Sequence, residues 1–186
     1  VKQRMELSKK GGENCDILVM SATPIPRTLI MTFYGDMDVS KLTEKPSYRK
    51  EIISLSKPES KIDEVIKFIK KEITNKNQIF WVCPLIDESK KLDYEAAVKK
   101  FEYLNKIFTG RVGLIHGSLK NEEKEAVLKN FLYKKIQILV STTVIEVGID
   151  FPNANVIVIE NSNKFGLSQL HQLRGRVGRS NMQATC

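Results

Sequence analysis

Apolar residues follow two rhythms along the chain. Ile62, Val65, Ile66, Ile69 and Ile73 recur three and four apart, one face of an amphipathic helix over 60–74. Ala97, Phe101, Leu104 and Phe108 repeat the pattern and predict a second helix. "NEEKEAVLKNF" (121–131) predicts a third, with Glu122 and Glu123 in its first turn, where the helix dipole favours negative charge. Between these lie short, wholly apolar runs that suit buried strands: "DILVMS" (16–21), "QIFWVCPLI" (78–86), "RVGLIH" (111–116), "IQILVST" (136–142) and "NVIVIEN" (155–161). "EIISLS" (51–56) is a further strand. Pro24 and Pro26 precede a helical stretch over 27–33, and "LSQLHQLRGR" (167–176) is a last helix with Ser168 as its N-cap.

Strands that are apolar throughout and alternate with helices predict an α/β fold, a three-layer parallel sheet covered on both faces. Residues 35–50, "GDMDVSKLTEKPSYRK", have no apolar period and read as a linker. They divide the chain into a short first part, 1–46, and a compact second part, 47–186. The abrupt start before "ILVM" and the stop at "MQATC" read as an excerpt of a larger protein.

Composition narrows the classes. No apolar run reaches the length of a membrane span, and no signal peptide opens the chain. Cys15, Cys83 and Cys186 are odd in number and lack metal-type spacing, which fits ordinary thiols in a reducing cytoplasm. A formal net charge of +8 permits a polyanionic partner.

In parallel sheets, ligands sit where strands end and loops enter helices. Those loops carry "SATPIPRT", "HGSLK" and "STTVIEVGID", and the last helix carries "QLRGRVGR". Small hydroxyl residues and glycines there bring backbone N–H groups close to phosphate oxygens, although any one of them alone suits an ordinary turn. The chain has seven arginines against 23 lysines, yet Arg174, Arg176 and Arg179 fall within six residues. On a helix Arg176 and Arg179 would share a face, and Gly175 and Gly178 would each cost about 1 kcal/mol. Arginine differs from lysine in its planar fork, which grips phosphate in a bidentate way. That geometry suits the γ-phosphate of a phosphoryl-transfer site; the plainer alternative is a solvated basic helix face.

"SATPIPRTL", "HGSLKNEEKEAVLKNF", "STTVIEVGIDFPNA" and "QLHQLRGRVGR" resemble the third, fourth, fifth and sixth motif blocks of superfamily-two helicases. "WVCPLI" and "FGLSQLHQLRGRVGR" are most similar to the RecG family of ATP-dependent branched-DNA helicases. The resemblance covers nearly the whole chain. It implies a RecA-like P-loop NTPase type helicase C-terminal lobe over 47–186, with 1–46 the end of the first lobe plus the interlobe linker. The phosphate loop and acidic box that hold ATP and Mg2+ would then belong to the first motor lobe. A wedge domain would lie further upstream, and the segment alone would be inactive.

The resemblance also implies roles. Arg176 and Arg179 match the γ-phosphate-sensing arginines, and Gln172 joins the polar network around the nucleotide. Gly148 and Asp150 match a block near the ribose and catalytic cleft. His116, Gly117, Thr142 and Thr143 match positions facing the backbone of branched or forked DNA. Ser21 and Thr23 match the block that couples hydrolysis to lobe movement. Arg174 lies outside the strict pattern and is open between a structural and a DNA-facing role. Trp81 and Cys83 read as core. A translocase like the transcription-repair coupling factor, or a non-catalytic nucleic-acid-binding module, are the alternatives.

Overall fold

The computed structural model describes residues 18, 20, 40–84, 90–142 and 151–186. The chain divides into two compact units, Val1–Leu42 and Thr43–Cys186, and the architecture below is that of the second. The predicted strand at 16–21 and helix at 27–33 lie outside the described residues, apart from Leu18 and Met20.

A single 3-10 turn, Glu59–Lys61, leads into α1 (Ile62–Thr74). Then follow β1 (Gln78–Val82), α2 (Lys90–Ile107), β2 (Val112–Ile115), α3 (Asn121–Leu132), β3 (Ile138–Ser141), β4 (Ala154–Ile159) and α4 (Leu167–Arg174). The four strands form one sheet in the order β2-β3-β1-β4, and every pairing is parallel. All four carboxyl ends therefore lie along one edge of the sheet.

Alternation along the strands explains the layers. Phe80, Val82, Leu139 and Ile157 face a core completed by Leu128 and Phe131 of α3, Leu173 of α4, and Phe151. Ile79, Trp81, Ile138, Val140 and Val156 face the other core, filled by Ile66, Ile69 and Ile73 of α1, by Leu104 of α2 and by Phe108 just past its end. The apolar stripes read from the sequence are the faces that α1 and α2 bury. In the first core, the rings of Phe80, Phe131 and Phe151 sit 5.2–5.7 Å apart, tilted or edge-on, the arrangement their quadrupoles prefer.

The sheet continues past β4 through two single bridges. Thr185 pairs with Val156 on one side and with Ile53 on the other, both parallel. "EIISLS" is thus less of a strand than its composition predicts. Ile53 and Leu55 donate to the carbonyls of Ala184 and Cys186, but with no further strand beyond them among the described residues their side chains stay half-exposed or more.

The last helix also differs from its sequence reading. It runs from Leu167 to Arg174, and its N-cap is Gly166, not Ser168. The Gly166 N–H donates to Gln169 Oε1 at 2.9 Å, so the capping acceptor comes from the third helical residue. The chain leaves the helix at Gly175, and Gly178 takes φ +71°. A Cβ on Gly178 would meet Ile52 Cγ1 at 3.1 Å and Ala184 Cβ at 3.3 Å. The two glycines are not costs carried inside a helix; they make the turn that follows it.

Candidate nucleotide and nucleic-acid interface

Two groups of predicted residues emerge at different places on the sheet. The first is on β2 and β3. Ile115 is in register with Ser141, so His116 and Thr142, one residue on, leave the sheet side by side, about 4.8 Å apart in the strand-to-strand direction. Gly117 follows His116. Thr143 lies outside the described residues, as do Gly148, Asp150, Ser21 and Thr23.

This group holds polar atoms with unmet needs. His116 Nδ1 and Ser141 Oγ are buried and have no hydrogen-bond partner among the described residues. A buried polar atom left unpaired costs free energy and usually marks a role. Tyr94 of α2 packs edge-on against the His116 ring at 4.6 Å between centroids. Burial, then the Lys124 cation, holds the His116 imidazole below its ordinary value, with Glu123 opposing. His116 is therefore predominantly neutral at pH 7, able to change charge when an anion approaches. A Cβ on Gly117 would meet nothing within 4 Å, and its φ is not left-handed. The fold itself does not require glycine there.

The second group is α4 and its exit. The three arginines separate here. Arg174 donates from Nε to Ser54 Oγ at 3.0 Å and from Nη2 to the Ile52 carbonyl at 3.1 Å, so its role is structural. Arg179 Nε makes a long contact of 3.4 Å with the Gly175 carbonyl. The Arg176 side chain is partly buried and has no hydrogen-bond or ion-pair partner among the described residues. Burial, then the neighbouring Arg179 cation, pulls its guanidinium below the usual arginine value. Two neighbouring guanidinium groups can both donate to a polyphosphate. Gln172, on the last turn of α4, is exposed.

A third cluster was not foreseen. Lys100 of α2 pairs with Glu160, just past β4, at 2.6 Å, and Lys100 Nζ lies 5.4 Å from the centre of the Trp81 ring. Cys83 Sγ is 3.6 Å from the other Glu160 oxygen. Burial, then the Glu160 carboxylate, pushes the Cys83 thiol up to about 12. The acid ending the apolar run "NVIVIEN" was the signal available for it. Among the described residues no group of histidine, cysteine or acidic side chains is arranged to hold a metal, and no helix is long and apolar enough to cross a membrane.

A parallel sheet with these loops at its carboxyl edge is the architecture of a helicase C-terminal lobe. Residues 60–181 match the helicase conserved C-terminal domain, and the chain belongs to that family. Over its whole length it is similar to RecG helicases. It is 52% identical to the ATP-dependent DNA helicase RecG of Thermotoga maritima and 48% identical to that of Bacillus subtilis. In each case all of this chain is covered, but only 24% and 27% of the relative. A solved structure of RecG bound to a three-way DNA junction superposes on 90% of the chain with a TM-score of 0.74 and 50% identity, using 22% of that protein. Yeast Dbp5 bound to RNA and ADP BeF3 shares the fold over 99% of this chain, with a TM-score of 0.68 at 16% identity and 47% of its own length.

Proposed function

We propose that the chain forms the second motor lobe of an ATP-dependent helicase acting on branched DNA in repair and recombination in the cytoplasm, with 1–46 supplying the end of the first lobe and the linker. The observation that carries this is Arg176: a partly buried guanidinium without a partner among the described residues, beside a second arginine, on a turn fixed by Gly178. ATP and Mg2+ are held mainly by the first lobe, which presents the γ-phosphate to Arg176 and Arg179 across the cleft. Their planar forks stabilise charge that grows on the phosphoryl group as it moves to water. Gln172 orders the polar network beside them, and Gly148 and Asp150 line the same cleft.

His116, Gly117, Thr142 and Thr143 grip the DNA backbone. Contacts of this kind carry no sequence information, so the motor recognises shape. Lobe closure that tightens these contacts, and opening that loosens them, advances the protein along the strand; Ser21 and Thr23 link the two events.

The experiment is Arg179→Lys in the full-length helicase. Charge is kept and the fork removed. DNA-stimulated ATP hydrolysis is expected to fall by about 10³-fold or more, while junction affinity, spread over many phosphate contacts, stays within a few-fold. Retained hydrolysis with lost DNA binding would assign these arginines to DNA and favour a nucleic-acid-binding module instead.

A further inference from the structure

The amino ends of the strands carry a second concentration of positive charge, away from every residue assigned above. The connections α1–β1, α2–β2 and α3–β3 arrive there together and line a cavity of about 520 Å3. Its polar walls are Lys76, Arg111, Lys134, Lys135, Thr109 and Gln137, and among the described residues no carboxylate lines it. None of the four cations has an ion-pair partner among the described residues, whereas Lys57, Lys61, Lys100 and Lys129 each pair with a glutamate.

The way these cations are placed is unusual. Both α1 and α3 end in the same hydrogen-bonded turn. Lys76 N–H returns to the Ile73 carbonyl and Asn77 N–H to that of Glu72; Lys134 N–H returns to Phe131 and Lys135 N–H to Asn130. That turn needs one left-handed residue, ordinarily glycine or asparagine. Here it is Lys76, at φ 64°, and Lys134, at φ 59°, while the corresponding turn after α2 uses Gly110, at φ 71°. Lysine at two of the three positions brings charge to the cavity where the backbone favours another residue.

Helix ends alone do not balance that charge. Each carboxyl terminus carries about half a negative charge, so the three together offset less than half of the four cations. Gln137 adds a buried Oε1 with no hydrogen-bond partner, while its Nε2 donates to the Lys134 carbonyl at 2.8 Å.

We propose that this cavity is a second nucleic-acid contact, taking the phosphate backbone of a duplex segment separate from the strand held at His116 and Thr142. Lysines act as point charges that need no fixed approach angle, and they are exposed around an open hollow. That suits a charged polymer passing over the surface better than a small anion enclosed within it. Arg111 supplies one planar fork and Thr109 a hydroxyl donor. The inference concerns DNA binding alone and does not depend on the arginine-finger assignment.

The test compares two charge reversals of equal size in the full-length protein. Lys134→Glu with Lys135→Glu acts on the cavity; Lys67→Glu with Lys70→Glu changes exposed residues of α1. Binding of a fluorescent mixed-sequence duplex is followed by anisotropy over a salt series. Loss of two phosphate contacts should lower the slope of log affinity against log salt by about 2, and affinity at low salt by about tenfold; the α1 pair should change far less. Lys134→Gly guards against misfolding, because it removes one charge while relieving the left-handed backbone. It should melt at the same or a higher temperature and still lose about one unit of slope. Equal losses from both reversals, an unchanged slope in the Lys134 and Lys135 variants, or competition by inorganic phosphate at low millimolar concentration would overturn the proposal. So would binding of polyglutamate in preference to the duplex.

Discussion

The Arg174 guanidinium donates to the Ile52 carbonyl, 122 residues away in the chain, at 3.1 Å. With its bond to Ser54, it fastens α4 to the outermost segment of the sheet. Arg174→Met should cost about 2 kcal/mol, the range for hydrogen bonds from a charged group, and lower the melting temperature by several degrees. Arg176→Met, which breaks no bond among the described residues, should leave melting nearly unchanged. A larger loss at Arg176 than at Arg174 would reverse these two assignments.

His116 should make the protein sensitive to pH in a definite direction. Its folded pKa lies below the ordinary 6.5. Between those two values the unfolded chain binds a proton that the folded chain does not. Stability is therefore fully present above about pH 6.5 and declines as pH falls through the folded value. DNA phosphate near the ring would draw the proton on, so DNA affinity should rise over the same descent. Lys124 and Glu123 bias the titration and Tyr94 covers the ring. Urea melts and DNA titrations across pH 5.5–7.5, repeated with His116→Gln, read both effects; a profile that survives the substitution assigns them elsewhere.

Two glycines should respond in opposite ways. Gly178→Ala forces a side chain onto a left-handed backbone against Ile52 and Ala184, a strain of about 1–3 kcal/mol. Gly117→Ala meets nothing and should gain about 0.5 kcal/mol by restricting the unfolded chain. On the proposed role of Gly117 beside the DNA backbone, it should also weaken DNA binding, because the added methyl enters that space. Melting curves and DNA titrations on both variants separate the structural glycine from the functional one.

The Lys100–Glu160 pair should be testable through Cys83. Lys100→Met strands the Glu160 carboxylate in partly buried surroundings and should cost about 2 kcal/mol; adding Glu160→Gln should recover most of it. In the native protein at pH 8 the Cys83 thiol, buried and pushed up to about 12, should resist a thiol reagent until the lobe unfolds, as peptide mapping of the labelled sites would show. Rapid native labelling at Cys83 would mean that Glu160 does not cover it.

The sheet and both helical layers were legible because burial on two faces leaves wholly apolar runs, and burial on one face leaves a helical stripe. The end of α4 was not. Leu173 and Val177 are four apart and bury in the same core, so the apolar period continues past the point where the chain has already turned at Gly175. Residue type also favoured Ser168 as the cap, whereas the acceptor that serves is Gln169, within the helix. Among the site residues, His116, Gly117 and Thr142 could be placed because parallel strands bring their ends to one edge. Arg174 stood outside the strict pattern, but the choice between a structural and a DNA-facing role could not be read from it, since its partners lie 120 and 122 residues away. No local pattern carries that information. The basic cavity escaped for a related reason: its lysines belong to separate turns, and only the sheet assembles them.

The bridges through Thr185 give the lobe a mechanical character. Ile53 and Thr185 run parallel, so a pull at Lys50 and an opposing pull at Cys186 slides one segment along the other instead of peeling it away. The bonds from Ile53 N–H to Ala184, Leu55 N–H to Cys186 and Cys186 N–H to Ile53 are then loaded together and must fail together. The Gln183 amide, bonded to the Glu51 carbonyl at 2.6 Å, shares the same load. Segments fastened this way resist traction as a unit, passing force between Lys50 and Cys186 through bonds that share the load.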